Sequence, residues 1–447
     1  MGMKCIGVDI GGTSVKIGLF ETTGELLDKW EVKTRKEDGG VNILPDVAAS
    51  IRKKLDEKGL DLKKDVAGAG MGVPGPVMPD GYVEVCVNLG WRDLNPQEEL
   101  SRLLDGIPVK SGNDANVAAL GEMWQGGGKG YSDLVMVTLG TGVGGGVILD
   151  QKIIAGKHGL GGEIGHIHVR DDEWEHCNCG GVGCLEQVSS ATGIAREARR
   201  TMAKSDKPSA LREFGDNVSA KDVLDAAKAG DEMALEVMKT VSHYLGLALA
   251  QVALTVDPEI FVIGGGVSKA GQFLIDMIQK DYDHFTPISE NKAKLGLATL
   301  GNDAGIYGAA SITAGSIMIT RPAVARLRKE GPEVLIRKMK ERDITVLPVI
   351  DENDKLIGEI TLESAAILRR KGIKSIQEAV QSEVHSVTED TKIEDLLPLI
   401  TKTNSPIYVV NEERELKGLV PLSSIVVEMT GKDKEEINEL IQNAIEL

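Results

Sequence analysis

Glycine-rich turns that follow strand-like segments are the first residues of this sequence that could do chemistry. Residues 9–13 read Asp-Ile-Gly-Gly-Thr, residues 138–141 read Thr-Leu-Gly-Thr, and residues 264–266 are three glycines. Glycine lets backbone N–H groups approach an anion closely, and the carboxylate of Asp9 suits a metal ion that accompanies a phosphate. An ordinary hairpin turn would explain any one of these motifs. Because glycine weakens a strand, three such junctions favour phosphate binding.

A second candidate is an aspartate between a predicted strand and a predicted helix. Asp114 stands in the segment Asn-Asp-Ala-Asn, residues 113–116, just before a helix that we expect to begin near Val117. At such a junction its carboxylate would face a cleft and could accept a proton from a substrate hydroxyl. Helix capping by Asp114 or Asn116 is the alternative explanation of the same residues.

One histidine and three cysteines form a third candidate site. His166 is followed after ten residues by Cys177 and then by Cys179 and Cys184. One nitrogen and three sulfur atoms make a tetrahedral structural zinc set, which folds a loop and leaves no open position to activate water. Three free thiols in a loop are the alternative, although the intervening glycines would let the chain wrap tightly round a metal.

The composition restricts the class of protein. The formal net charge is -17 over 447 residues, which argues against a nucleic-acid partner, because that affinity depends on clustered Lys and Arg. The chain shows no leader pattern and no apolar run of membrane length, so we expect a cytoplasmic protein without a membrane partner. Five cysteines are too few for a disulfide scaffold, and we expect Cys5 and Cys86 to be buried thiols.

Two similar segments must position the glycine-rich turns. Residues 4–20 and 135–149 each alternate apolar with small or polar positions around a glycine turn, which predicts two β-hairpins. Thr138 takes the place of Asp9 in the second copy. A repeated hairpin that opens mixed helix and strand patterns predicts a duplicated α/β architecture with a cleft between its halves.

Apolar periodicity places further elements around these hairpins. It predicts helices at residues 46–58, 117–123 and 220–253, and strands at residues 67–73 and 260–263. The third glycine-rich turn directly follows the last of these strands.

The character of the sequence changes near residues 312–322. Beyond them a new repeat pairs residues 347–358 with residues 407–418, each copy predicted as an amphipathic helix, a strand, a polar turn and a second strand. The length also favours two or three domains. We therefore predict an N-terminal lobe at 1–120, a second lobe with the cysteine loop at 121–312, a linker at 313–322 and a separate domain at 323–447.

These motifs together resemble the ROK family of bacterial sugar kinases and repressors, and within it the glucokinases. The resemblance covers residues 3 to about 312 and rests on residues 9–13, 139–146 and 156–166 and on the complete zinc set. It implies an actin-like ATPase (ribonuclease H-like) α/β fold of two lobes, with ATP and Mg²⁺ in the cleft. Asp114 would be the general base on the sugar 6-hydroxyl, and lobe closure would exclude water during phosphoryl transfer.

The resemblance also implies a role for each motif residue. Hydrogen bonds to the sugar hydroxyls would come from Asn88, Asn113, Glu163, His166 and Glu186. The ATP phosphates would lie among Asp9, Gly11, Gly12, Thr13, Lys16, Thr138, Gly140 and Thr141, with Gly264, Gly265 and Gly266 beside the adenosine. A structural Zn²⁺ would be bound by His166, Cys177, Cys179 and Cys184, and would thereby organise the sugar site.

Glucose is the expected sugar, because residues 88–91 (Asn-Leu-Gly-Trp) and 185–187 (Leu-Glu-Gln) look like glucokinase versions of the family motifs. Family kinases for fructose, N-acetylglucosamine and N-acetylmannosamine share most of these polar contacts and are alternatives. A non-catalytic sugar sensor is another, since the family includes repressors. Repressors carry a helix-turn-helix before the kinase-like fold, whereas we expect the first strand here by residue 4, and Asp114 favours catalysis.

Residues 323–430 resemble a tandem CBS pair, in particular the tail of the ATP-binding subunit of glycine betaine ABC transporters. The likeness rests on the paired hydrophobic strands with Gly358 and Gly418. It implies an α+β regulatory or assembly module that binds an adenine nucleotide near Thr361 and Thr388, or that binds no ligand. Residues 432–447 are predicted as an amphipathic helix. Kinase relatives imply a homodimer or a higher homo-oligomer, which CBS pairing could reinforce.

Overall fold

Two α/β halves and a smaller α+β module make up the computed structural model, which describes residues 3–78, 80–317, 324–341, 344–388, 391 and 406–420. The strands of the first half are β1 (Lys4–Ile10), β2 (Ser14–Glu21), β3 (Leu26–Lys33), β4 (Val66–Val73), β5 (Val83–Cys86), β6 (Trp91–Leu94) and β7 (Val109–Asn113). Its helices are α1 (Ile43–Lys58), α2 (Leu62–Asp65), α3 (Pro96–Leu103) and α4 (Asp114–Gln125).

The second half follows without a break. Its strands are β8 (Leu134–Leu139), β9 (Val143–Leu149), β10 (Lys152–Ile153), β11 (Ile260–Gly264) and β12 (Lys294–Leu297). Its helices are α5 (Glu186–Ser189), α6 (Ala191–Lys204), α7 (Ala220–Lys228), α8 (Glu232–Val256), α9 (Gln272–Phe285) and α10 (Ala304–Ile317).

The first half is built on a sheet of strand order β3-β2-β1-β4-β7, in which β1, β2 and β3 are antiparallel and β4 and β7 run parallel to β1. Successive side chains of β1 point to opposite faces of the sheet, and both faces are buried. Ile6 and Val8 join the core that α1 covers, whereas Cys5 faces the other side with Phe20 and Ile306. Cys5 and Cys86 are both buried, which confirms the expectation for these thiols.

The second half repeats this plan. Its sheet has the order β10-β9-β8-β11-β12, again with an antiparallel meander followed by two parallel strands. Val135 and Val137 pack in the core formed with α6 to α9, and Leu134 and Met136 face the opposite side, where Met123 of α4 covers them. The predicted duplication and both predicted hairpins are therefore confirmed.

The last helix of each half covers the sheet of the other half. The α4 helix packs on β8 and β9, the α10 helix packs on β1 and β4, and the two helices pack against each other. Their crossing needs glycine, because a Cβ on Gly121 would overlap the carbonyl oxygen of Ala304, and one on Gly308 that of Val117. Thus α10 serves the first sheet, although the predicted boundary placed its residues up to 312 in the second lobe. It also continues to Ile317, into the predicted linker.

The predicted helices and strands are found, but α1 and α4 each begin three residues earlier than predicted, and one predicted helical stretch is divided. Residues 220–253 were expected to form one largely helical stretch, and the structure divides it into α7 and α8. The break has a local cause: Gly230 has a positive φ of 88°, and the side chain of Asp231 accepts the backbone N–H of Ala234 to cap α8. Among the described residues, no helix combines the length and apolarity needed to cross a bilayer.

The C-terminal module contains two small sheets of order β13-β14-β15 and β16-β17-β18. Its elements are β13 (Ala325–Arg326), α11 (Pro332–Glu341), β14 (Val346–Ile350), β15 (Leu356–Thr361), α12 (Leu362–Arg370), β16 (Ser386–Val387), β17 (Ile407–Val410) and β18 (Leu416–Val420). The two hairpins meet symmetrically, since Leu356 donates to the carbonyl of Arg414 and Leu416 to that of Asp354. The predicted helix at 432–447 lies outside the described residues.

Candidate active site

The first glycine-rich turn is held by the end of β3. The backbone N–H of Gly11 donates to the carbonyl of Ser14 at 3.0 Å, which closes the turn. From β3, the hydroxyl of Thr34 donates to the carbonyl of Gly11 at 2.7 Å, and its N–H donates to the carbonyl of Thr13 at 3.0 Å. Sequence reasoning missed Thr34, because its role depends on strand pairing rather than on a motif.

Asp9 ends β1 in a crowded, largely buried position. A Cβ on Gly305 would lie 2.5 Å from its carboxyl carbon, so only glycine lets the start of α10 come this close. Burial raises the pKa of Asp9 to about 6, with the Lys16 ammonium opposing the rise and the Asp114 carboxylate adding to it. Lys16, expected at the phosphates, donates its ammonium to the carbonyl of Asn302 at 2.8 Å.

The strand-to-helix junction after β7 separates two roles that the sequence left open. Asn113 is the N-cap of α4, since its side-chain oxygen accepts the N–H groups of Ala115 and Asn116. Its amide nitrogen donates to the carbonyl of Gly75 at 3.0 Å. The capping role that the sequence gave to Asp114 or Asn116 as an alternative thus falls to Asn113, which was expected to contact the sugar.

Asp114 is the first residue of α4, and its carboxylate accepts only the N–H of Ala115, at 2.8 Å, among the described residues. The side chain is half-buried, and burial raises its pKa; the negative charge of Glu163 raises it further, and the Ala115 hydrogen bond opposes the rise. Gly72 lies between the two residues, because a Cβ there would be 3.6 Å from Asp9 Oδ1 and 3.7 Å from Asp114 Cα, and the charge of Asp114 also raises the pKa of Asp9. Asp9 and Asp114 therefore share one cleft.

Two predicted sugar ligands approach this cleft from a turn and a loop. Asn88 is exposed in the turn between β5 and β6, next to Cys86, whose thiol donates to the carbonyl of Pro74 at 2.8 Å. The loop that carries Glu163 reaches the same region, since a Cβ on Gly159 would be 3.7 Å from Pro76. The structure thus brings Asn88 and Glu163 to the side of the cleft that Asp114 faces.

The second and third glycine-rich turns are neighbours at the ends of parallel strands. Thr138 of β8 pairs with Gly264 of β11. Gly265 adopts a positive φ of 84°, and a Cβ there would overlap the backbone of Leu139. A Cβ on Gly266 would meet nothing within 4 Å, so this turn presents bare backbone to open space. The roles predicted for these residues at a nucleotide remain predictions.

The cysteine loop places its four predicted ligands together. The donor atoms of His166, Cys177, Cys179 and Cys184 all lie within 4.8 Å of one another. Cys179 Sγ is 3.7 Å from Cys184 Sγ, and Cys177 Sγ is 3.8 Å from His166 Nδ1. A tetrahedral zinc ion with bonds of about 2.0 to 2.3 Å separates its donors by roughly 3.5 to 3.8 Å, so this donor set fits zinc.

His166 also faces the cleft. Its Nδ1 is directed at the sulfur cluster, and its Nε2 is 3.8 Å from the carboxylate of Glu163. The loop that carries the cluster is braced on α6, because the fully buried Glu173 pairs with Arg196 at 3.2 Å and with Arg200 at 2.8 Å. The Arg200 hydrogen bonds lower the pKa of Glu173 to about 2.

Glu186 connects this loop with the second glycine-rich turn. One carboxylate oxygen accepts the N–H of Val143 at 2.9 Å, and the other is 3.9 Å from Cys177 Sγ. A Cβ on Gly142 would overlap the Glu186 carboxylate. Glu186, expected to contact the sugar, is thus engaged with the turn that was predicted to hold phosphate.

Comparison with known proteins gives a match to the ROK family over residues 5–316, more than two thirds of the chain. The chain belongs to the ROK family. Two CBS domain matches follow, over residues 314–366 and 373–431, so this ROK protein carries a tandem CBS module. The family match ends at the last turn of α10.

Relatives of this ROK protein include proteins named glucokinase. It is 43% identical over 307 residues to a glucokinase of Halalkalibacterium halodurans, covering 68% of this chain and 92% of the relative. It is 36% identical over 315 residues to a glucokinase of Thermotoga maritima, covering 69% and 97%. The structure of a ROK family glucokinase from Streptomyces griseus with glucose and AMPPNP matches with a TM-score of 0.55 and 33% identity, covering 69% and 98%.

Proposed function

We propose that this protein transfers the terminal phosphate of ATP to the 6-hydroxyl of glucose, with Asp114 as the general base. It is an ATP-dependent sugar kinase of the ROK family, and the proposal specifies its sugar and its base. The observation that carries the proposal is the half-buried Asp114 at the start of α4, in one cleft with Asp9 and beside Glu163.

Asp114 has the environment of a base rather than of a structural carboxylate. No arginine or lysine pairs with it among the described residues, and burial raises its pKa, so its carboxylate binds a proton more tightly than an exposed aspartate does. The Ala115 N–H holds one oxygen and thereby fixes the carboxylate plane. A sugar hydroxyl placed against Asp114 would lose its proton to it as the phosphorus–oxygen bond forms.

The other residues position the reactants. The N–H groups of Gly11 and Gly140 close their own turns on the carbonyls of Ser14 and Gly142, so the N–H of Gly12 is the one that would meet an ATP phosphate. Asp9, with a pKa of about 6, is charged at neutral pH. A magnesium ion bound with ATP near Asp9 would neutralise part of the phosphate charge. Asn88 and Glu163 would hydrogen-bond the sugar.

We also propose that His166 and the three cysteines hold a structural zinc ion. Such an ion would fix the imidazole ring through Nδ1, so that Nε2 and the neighbouring Glu163 keep their orientation towards the sugar. Metal analysis of purified protein should give one zinc per chain, and Cys184→Ser should lower both the zinc content and the melting temperature.

Glucose is proposed because the alignments to the two relatives named glucokinase extend over nearly the whole length of those relatives.

The CBS pair is proposed to regulate the kinase by binding an adenine nucleotide. The protein is proposed to act as a homodimer or a higher homo-oligomer. Thr361 caps α12 by accepting the Ser364 N–H, so a nucleotide there would meet a hydroxyl that is already engaged.

A coupled assay of ADP release with MgATP and a panel of hexoses tests the proposed function. We expect the highest kcat/KM for glucose over fructose, N-acetylglucosamine and N-acetylmannosamine, and little turnover in Asp114→Asn. A preference for another hexose would assign that sugar instead. Tight sugar binding without turnover in the wild type would replace the kinase with a sugar sensor.

A further inference from the structure

The ammonium of Lys16, the cation that the sequence predicts for the first glycine-rich turn, is hydrogen-bonded outside that turn. Lys16 donates its ammonium to the carbonyl of Asn302, which precedes α10, and not to the turn of Gly11 and Gly12. Catalysts of phosphoryl transfer generally place a fixed positive side chain near the transferred phosphate. A different lysine near this turn could therefore supply the positive charge.

Lys36 occupies that position. Its Nζ lies 3.2 Å from the point where a Cβ on Gly12 would stand, so its ammonium reaches the backbone of the turn itself. The segment is held there by the two hydrogen bonds from Thr34 to the carbonyls of Gly11 and Thr13. Thr34, which stands two residues before Lys36, thus anchors this segment to the turn.

The neighbouring charges leave Lys36 available. Arg35 points away to α1, where it forms two hydrogen bonds of 2.5 and 2.6 Å with Asp46. In the described part of the chain, no carboxylate lies within 4 Å of the Lys36 ammonium, and the side chain is exposed. A solvent-facing cation over a glycine backbone, with no carboxylate to neutralise it, suits an incoming anion.

We propose that Lys36 is a phosphate-binding residue of the nucleotide site, whose ammonium contacts the terminal phosphates of the nucleoside triphosphate above Gly12. The inference rests on the proposed function, which it deepens by naming the cation. Lysine serves this purpose as a compact point charge on a flexible stem. Its contact grows with the number of phosphates, so ATP and ADP should depend on it more than AMP.

Kinetics of Lys36→Gln in the full chain test this residue, with Lys33→Gln as the matched control, since Lys33 is an exposed lysine at the end of β3, three residues before Lys36. We expect the KM for MgATP to rise roughly tenfold or more in Lys36→Gln, as for loss of one charge-assisted hydrogen bond, with the KM for glucose within twofold. Lys36→Arg should recover most of the loss. Lys33→Gln should match the wild type. Equal KM values for MgATP in the Lys36 and Lys33 variants would overturn the proposal.

Calorimetry with ADP and AMP separates this proposal from the proposed function. Even if no hexose were phosphorylated, weaker binding of ADP to Lys36→Gln than to Lys33→Gln would support the phosphate contact. Unchanged ADP binding in Lys36→Gln would sink it, whatever the kinase assay shows. A loss of ADP affinity confined to Lys16→Gln would assign the cation to Lys16 instead.

Discussion

The two halves of the kinase carry the same tetrapeptide at the start of their crossing helices. Gly-Asn-Asp-Ala occupies residues 112–115 and again residues 301–304. In the first copy Asp114 is half-buried in the cleft, and the described part of the chain gives it no cationic partner. In the second, Asp303 pairs with Lys29 at 2.6 Å in a partly exposed ion pair.

The same four residues adopt different backbone structures in the two copies, since residues 112 and 113 end β7 whereas residues 301–303 form a 3₁₀ turn in which Gly301 has a positive φ of 56°. The surroundings decide whether the aspartate faces the cleft or forms an ion pair. Both copies lead from a parallel strand into a helix that crosses to the other sheet. Only the first copy lies near the loops that carry Asn88 and Glu163. The second copy instead braces β2 and β3 through Lys16 and Lys29.

Replacing the two equivalent aspartates tests the comparison with the largest expected effect. Asp114→Asn should lower kcat by about 10²- to 10⁴-fold, because it removes a general base without changing the size of the side chain. Asp303→Asn should leave kcat close to the wild-type value, since it breaks a solvent-screened ion pair. Steady-state kinetics with glucose and MgATP provide the measurement, and equal losses in the two variants would contradict the difference between the copies.

Substituting a glycine at the crossing of α4 and α10 should cause a similar loss of stability whichever helix carries the substitution. Gly121→Ala and Gly308→Ala each place a methyl group where a backbone carbonyl of the other helix lies, so the helices must separate. We expect each to destabilise the protein by about 1–3 kcal/mol, measured by urea unfolding. Ser311→Ala, in the same helix as Gly308, is the control and should change stability little. A change confined to one glycine would break the symmetry.

Only the first of the two hairpins should make the stability of the protein depend on pH, because Asp9 titrates and its counterpart Thr138 does not. Folding raises the pKa of Asp9 from 3.8 to about 6, so the folded chain holds a proton that the unfolded chain releases between these values. This contribution to stability is present below about pH 4 and is lost as the pH rises through about 6. Asp9→Asn should flatten that slope in thermal unfolding, and an unchanged slope would show that Asp9 titrates normally.

The smallest effect concerns the brace of the second turn. The hydroxyl of Thr192 at the start of α6 donates to the carbonyl of Thr141 at 2.9 Å. Thr192→Val removes this exposed hydrogen bond and should raise the KM for MgATP by about threefold, with the zinc content unchanged. Thr201→Val in the same helix breaks only a bond to the Glu197 carbonyl and should leave the KM unaltered.

Motifs with short-range causes were predictable from the sequence. The hairpins, the zinc-type donor set and the strand-to-helix junction at Asp114 depend on local spacing, and the structure places each as expected. The repeated Gly-Asn-Asp-Ala was a readable signal of the second junction that sequence reasoning passed over. Lys36 and the engagement of Lys16 with Asn302 were beyond it, because they depend on which strands and helices become neighbours.

Buried charged residues also could not be predicted from the sequence. Glu122 of α4 is fully buried and accepts three backbone N–H groups, from Gly127, Thr299 and Leu300. Nothing around residue 122 distinguishes it from a surface glutamate, since two of its three partners, Thr299 and Leu300, are 177 and 178 residues away in the chain. Only the crossing of the halves makes it a joint between α4 and the segment that leads into α10.

The exchange of α4 and α10 between the halves also sets an order of events during synthesis. The face of the first sheet that carries Cys5 and Phe20 is covered by Ile306 and Ala310. At roughly 5–20 residues per second, the ribosome needs roughly ten to forty seconds after making β7 before it delivers α10. Throughout that interval the apolar face that carries Cys5 and Phe20 lacks the cover that Ile306 and Ala310 provide in the finished fold.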